Sequence, residues 1–332
     1  MCQVKQLWRA ALVSCAVQMA GTAHGSPVFT SFDPSGSVYT EPLGINDSGA
    51  ISGYYEDSAG VFHGFVRTPS GAITRFDPPS SVGTHAYGIN KAGSIVGQFD
   101  DSQGGHCFIR NSADAFTVFD PQPLGQQCYA LAINARGRVA GYVYESRRAA
   151  YGFVQMKSGK IKDIAGGTGY TVAAAINDSG ATTGVFGNEV ESPGFLRAAD
   201  GTIATFDAPN DTNGTFPQNI NASGWITGFY TASSTADHAF VRAPDGTITD
   251  FDPPGAGATE ALGVNAKGAI TGFYFGNGTY HGFVRAPDGT INSFDAPGAA
   301  DGTLPEAINE AGAITGWYRD GQNGAHGFLR SP

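Results

Sequence analysis

Gly88-Ile89-Asn90-Lys91-Ala92-Gly93-Ser94-Ile95-Val96-Gly97 is the stretch from which the rest of the chain can be read. Its core is a small apolar run ending in Asn, with Gly three and seven residues later. That pattern recurs at Asn46, Asn90, Asn134, Asn177, Asn221, Asn265 and Asn309, at intervals of 44, 44, 43, 44, 44 and 44 residues. A fixed interval of this size marks a repeat architecture, in which each unit buries its apolar surface against its neighbours. Asn tolerates left-handed backbone and Gly adopts it freely, so Asn-x-x-Gly between apolar runs predicts a tight hairpin turn.

Outward from the turn, each unit reads as four short strands. In the second unit they are a strand ending at Asn90, then residues 94–99, 107–110 and 115–120. The third and fourth are joined by segments such as Ala243-Pro244-Asp245-Gly246-Thr247, where Pro presets φ and Gly takes the left-handed position. If Ala243 faces Thr247, residues whose numbers sum to 490 lie opposite one another, and His238 faces Asp252. The chain stops after a third strand, Gly327-Phe328-Leu329-Arg330, and the missing fourth, residues 28–33, stands near the N-terminus. An open stack gains nothing from that permutation, whereas a ring gains the loss of exposed edges. The expectation is an all-β fold: a seven-bladed β-propeller of four-stranded antiparallel blades over residues 26–332, its ring closed by the N-terminal strand.

These repeats resemble the extracellular HAF-repeat family, whose units share Gly-Ile-Asn, an aromatic second strand, His-Gly-Phe and Phe-Asp. Here the pattern stands as Gly88-Ile89-Asn90, His281-Gly282-Phe283 and Phe294-Asp295. The resemblance spans residues 26–332 and implies an exported bacterial protein. It carries over no catalytic residue.

Composition agrees with a turn-rich β protein: 48 Gly and 18 Pro in 332 residues, with only 14% charged. Residues 1–25 differ. Lys5 and Arg9 precede an apolar run from 10 to 20 and then small residues, the order of a cleavable signal peptide too short to span a bilayer. Its removal leaves 17 Lys and Arg against 29 Asp and Glu, a formal charge of −12, which argues against a nucleic-acid partner. Cys107 and Cys128 would then be the cysteines that meet an oxidising exterior, free to form a disulfide. The expected address is secreted (periplasmic, extracellular or cell-surface), as a monomer with no transmembrane segment.

Five histidines share one repeat position, and the register sets an aspartate opposite each: His63 with Asp77, His106 with Asp120, His238 with Asp252, His281 with Asp295, and His326 with Asp33 across the closure. In the third unit Tyr151 and Ala165 replace both partners; the fourth keeps Asp207 opposite Pro193. Such pairs, one per blade, read as structural hydrogen bonds, since metal and acid–base sites need convergent ligands. Arg67, Arg110, Arg197, Arg242, Arg285 and Arg330 also recur, with Gln155 as the exception. They either ring the axis with positive charge or pair locally. Aromatic residues on the second strands, from Tyr54 and Tyr55 to Trp317 and Tyr318, fill the space between blades or offer stacking platforms.

The units disagree most in the third, where Arg136, Arg138, Arg147, Arg148, Lys157, Lys160 and Lys162 form a candidate binding patch. In the loops that follow fourth strands, Asp207, Asn210, Asp211 and Asn213 carry oxygen ligands but lack the order of a calcium loop. No catalytic, metal or cofactor motif is present, and no cofactor is expected. Three functions remain open. The first is a non-catalytic propeller holding a polysaccharide or protein on its loop face. The others are a carbohydrate-active hydrolase or lyase on the same scaffold, and a structural surface protein.

Overall fold

The computed structural model describes residues 27–121, 127–146, 149–164, 169–188, 191–232, 236–322 and 324–332; the expected signal segment, Arg147, Arg148 and Ala165 lie outside them. Among the described residues the fold is all-β, with 28 strands and no helix, hence none able to cross a membrane.

Strands pair antiparallel in successive quartets. In the fifth repeat Thr215–Ile220 pairs with Ile226–Thr231, that strand with Asp237–Arg242, and the last with Ile248–Phe251. Ala239 faces Phe251 and Arg242 faces Ile248, the register that the 243–247 loop sets. There Ala243 N donates to Thr247 O at 2.8 Å and Gly246 takes a φ of 96°. In the last repeat Thr303–Ile308, Ile314–Arg319 and Ala325–Arg330 are joined by Phe29–Phe32, with Phe29 opposite Arg330 and Phe32 opposite Gly327. Single parallel bridges, Tyr39 with Ala325 and Ala150 with Tyr170, link quartets into two eight-stranded sheets beside three of four strands.

The recurring Asn corrects the turn expectation. None has left-handed backbone; the Gly three residues on does, as at Gly93 with φ 81°. Asn90 Oδ1 instead accepts from Ala92 N at 3.0 Å and Ser94 N at 2.9 Å, closing its own turn. Its Nδ2 donates to the main-chain carbonyl of Asn134 at 3.1 Å. The same bond runs from Asn46 to Asn90, Asn134 to Asn177, Asn177 to Asn221, Asn221 to Asn265 and Asn265 to Asn309, and Asn309 donates to Asn46 at 3.1 Å. One buried amide thus satisfies a turn and joins two repeats.

Between repeats the core is built from one Phe per third strand: Phe65, Phe108, Phe153, Phe195, Phe240, Phe283 and Phe328 are all fully buried. Each removes apolar surface worth roughly 1.5–3 kcal/mol. A fourth-strand Phe of the preceding repeat meets it edge-on, as Phe76 does Phe108 at 6.1 Å between centroids and Phe251 does Phe283 at 6.0 Å. The recurring Arg covers that same ring: Arg110 lies 4.6 Å above Phe76, Arg285 4.8 Å above Phe251, and Arg67, Arg242 and Arg330 stack alike. These guanidinium groups therefore serve joints between repeats rather than an axial ring of charge, each stacking worth about 0.5–2 kcal/mol. Cys107 and Cys128 form a disulfide between the second and third repeats, with Cα atoms 5.2 Å apart.

Candidate functional site

The first strand of every repeat slips register just before its Asn, for example between Pro42 and Gly44, Pro217 and Asn219, and Pro305 and Ala307. A bulge turns its unpaired residue out of the ladder. The residues so released, among them Leu43, Leu131, Gln218, Leu262 and Glu306, line one cavity of about 360 Å³ to which all the first strands contribute. Glu306 is the one charged group in that lining.

Around Glu306 the side chains connect. Trp317 Nε1 donates to Glu306 Oε1 at 3.1 Å, and the Trp317 ring lies 5.8 Å from that of Tyr39. Tyr39 and Tyr54 both donate their hydroxyls to Glu41 Oε2, Tyr54 at 2.6 Å. The Tyr54 ring stands 4.6 Å from His85, which also lies 4.6 Å from Phe62. Burial, then repulsion from Glu41, pushes the Glu306 carboxyl well above the usual carboxylate range. Burial, with Asp237 adding repulsion, lifts Glu260 to about 7. Burial also lowers the His85 imidazole, whose Nδ1 is enclosed without a partner. The arrangement offers hydrogen-bond acceptors beside aromatic faces, and two carboxyls whose burial favours the protonated form.

Sequence reasoning singled out Tyr54 and Trp317 among the second-strand aromatics but missed their partners Tyr39, Glu41, His85 and Glu306. The signal lay in variation: five residues before the Asn stand Glu41, His85, Tyr129, Val172, Phe216, Glu260 and Leu304. Positions where repeats differ inside an invariant frame were the ones to compare.

In the five His-Asp combinations the histidine lies on a third strand and the aspartate immediately follows the fourth. Nδ1 is 3.1 Å from Asp77 in His63, 3.1 Å from Asp120 in His106, 2.7 Å from Asp252 in His238, 2.9 Å from Asp295 in His281, and 2.8 Å from Asp33 in His326. Three rings have a second carboxylate at Nε2: Asp57 at 3.2 Å, Asp101 at 3.1 Å and Asp320 at 3.4 Å for His63, His106 and His326. Burial opposes charge on His106 and His326, but their flanking carboxylates outweigh it and hold both imidazoles above the ordinary value. In the fourth repeat Asp207, without a His, is pushed up by burial and by Asp211 and Glu191.

The Asp207–Asn213 loop borders a second cavity of about 340 Å³. Asp211 there accepts from Asn213 N at 2.9 Å, Gly214 N at 2.6 Å and Thr215 Oγ1 at 2.6 Å, so its lone pairs serve the turn. Among the described residues no group of three or more His, Cys, Asp or Glu side chains is placed to hold a metal ion. Of the basic patch, Arg136 and Arg138 sit in the Asn134 turn and Lys157 and Lys160 in the adjoining third-to-fourth hairpin, while Lys162 is exposed on Ile161–Ile164. On the second strands Tyr55, Phe99, Tyr230 and Tyr318 are buried between repeats, whereas Tyr144 and Phe275 are exposed.

No protein-family model matches the chain, and no curated protein matches it. Solved structures do resemble it. A streptogramin B lyase aligns over 92% of this chain and 98% of its own, with a TM-score of 0.60 and 14% identity. A catalytically inactive virginiamycin B lyase from Staphylococcus aureus, solved with quinupristin, aligns over 91% and 99%, at 0.59 and 15%. The β-propeller domain of the trilobed protease from Pyrococcus furiosus, described as having an open velcro topology, aligns over 88% and 95%, at 0.65 and 7%. At such identities the likeness concerns fold alone, and the fold is that of a β-propeller.

Proposed function

We propose that this chain is an exported, seven-bladed propeller, closed by Phe29–Phe32 on Ala325–Arg330 and related to the extracellular HAF-repeat proteins, that binds carbohydrate at its central cavity. The observation that carries the reading is the run that starts at Glu306 in the cavity lining and continues through Trp317 and Tyr39 to Glu41 and Tyr54. A sugar ring has an apolar C–H face that suits an aromatic ring and hydroxyl donors that suit carboxylates, so this pairing of groups favours it over an apolar ligand. A propeller recruits these groups from several repeats, and here they come from the first and last. The test is a panel of neutral polysaccharides scored for retention and cleavage by the wild type and by W317A and E41Q. Retention weakened at least tenfold in both variants is expected; equal retention by the variants would overturn the reading.

Glu260 and Glu306 favour a second reading, a hydrolase or lyase. A carboxyl kept protonated by burial is suited to protonating a leaving oxygen. Cleavage by the wild type that disappears in E260Q would select it.

A further inference from the structure

The face opposite the fourth-to-first strand loops carries the Asn turns and the third-to-fourth hairpins, since Ile226 pairs with Arg242 and Arg242 with Ile248. Between the fifth and sixth repeats this face holds a groove of about 130 Å³ lined by Trp225, Val241, Val264, Lys267, Arg285 and Pro287. Trp225 and Lys267 both break the repeat. The Trp225 position is held elsewhere by Ala50, Ser94, Ala181, Ala269 and Ala313, with Arg138 in the third unit. An indole 38% exposed where neighbours have a methyl or hydroxymethyl group does nothing for the turn. It does offer a flat stacking face with two cations beside it.

Acids on the same face are largely occupied by main chain. Asp178 takes Ala135 N at 2.8 Å and Glu310 takes Ala266 N at 2.9 Å. Asp245 and Asp288 take Thr247 N and Thr290 N in their own hairpins, each at 2.9 Å, and Asp288 also acts on Arg285. By contrast, no ion pair among the described residues involves Arg136, Lys157, Lys160 or Lys267. The basic patch of the third repeat and the Trp225 groove therefore share one face, on a chain whose formal charge is −10.

We propose that the turn face binds an acidic polysaccharide, with one uronate ring stacked on Trp225 and its carboxylate held by Lys267 and Arg285. Aromatic stacking places the ring, and a guanidinium beside an ammonium selects the carboxylate. The third-repeat cations lengthen the track electrostatically.

The test uses oligogalacturonate, its methyl-esterified form and the wild-type, W225A and K267A proteins. Alanine stands naturally at the equivalent of Trp225 in Ala50, Ala181, Ala269 and Ala313, and at that of Lys267 in Ala92 and Ala311, so both variants should melt as the wild type does. The expected result is binding of the acid form at least tenfold tighter than the ester, weakened at least fivefold by W225A and by K267A. Absence of binding at low salt, equal binding of the ester, or wild-type affinity in both variants would overturn the proposal. The last two leave the cavity reading standing, and failure of every neutral glycan to bind would leave this one standing.

Discussion

Asn221→Asp isolates the amide that joins one repeat to the next. Asn221 is 5% exposed; its Oδ1 accepts from Ser223 N and Trp225 N, each at 3.0 Å, and its Nδ2 donates to Asn265 O at 2.9 Å. Aspartate keeps the size and both acceptor contacts but has no hydrogen to give Asn265. The loss of one hydrogen bond costs about 1 kcal/mol net, and a buried carboxylate oxygen facing a carbonyl adds roughly 1–3 kcal/mol. The variant should be about 3 kcal/mol less stable at pH 7. Repulsion raises the folded pKa of the new carboxyl above its unfolded value near ~3.9, so the penalty is full at neutral pH and fades as pH falls. Protonated, the group donates as the amide did. Asn221→Ala loses all three contacts and has no such recovery. Urea midpoints of the wild type and both variants at pH 7 and near ~4.5 provide the assay. A wild-type midpoint for Asn221→Asp at pH 7, or the same deficit at both pH values, would refute the reasoning.

Deleting residues 27–33 removes Phe32, edge-on to Phe65 at 6.2 Å, and Phe29, 5.9 Å from Phe294. With buried Phe32 worth about 3 kcal/mol or more, half-buried Phe29 somewhat less, and the strand pairing lost with them, the melting temperature should fall by about 10 °C, and an unchanged melt would count against closure. Reducing the Cys107–Cys128 bond, which spans 21 residues, should cost about 3 kcal/mol by loop entropy; equal urea midpoints before and after reduction would contradict this. Because His106 and His326 are held above their unfolded value, their contribution to stability is complete below pH ~6.5 and is lost as pH rises through the folded value. The H106Q/H326Q double variant should therefore lose less stability than the wild type between pH 6 and 9; parallel curves would show the raised values to be wrong.

Local chemistry made the strands legible in the sequence. Gly246 and Pro244 fix a hairpin whose register places His238 opposite Asp252 by counting alone. Contacts between repeats were not legible in that way. The Asn amide reaches 44 residues along the chain, and nothing in the turn motif distinguishes an Asn that only closes its turn from one that also donates to a neighbour. The second carboxylates on His63, His106 and His326 were hidden because they sit six, five and six residues upstream, where the second strand ends at Asp57 and Asp101 or has just ended before Asp320. Glu306 was hidden by a bulge, which sends a residue toward the cavity that strict alternation would have placed otherwise.

The central claim is that the ligand binds in the cavity beside Glu306, close enough to change the emission of the Trp317 that donates to it. The direct measurement is a titration of a retained neutral glycan followed by tryptophan fluorescence in the wild type, W317F and W225F. A signal that disappears in W317F and persists in W225F is predicted. A signal that persists in W317F would place the ligand elsewhere and contradict the account.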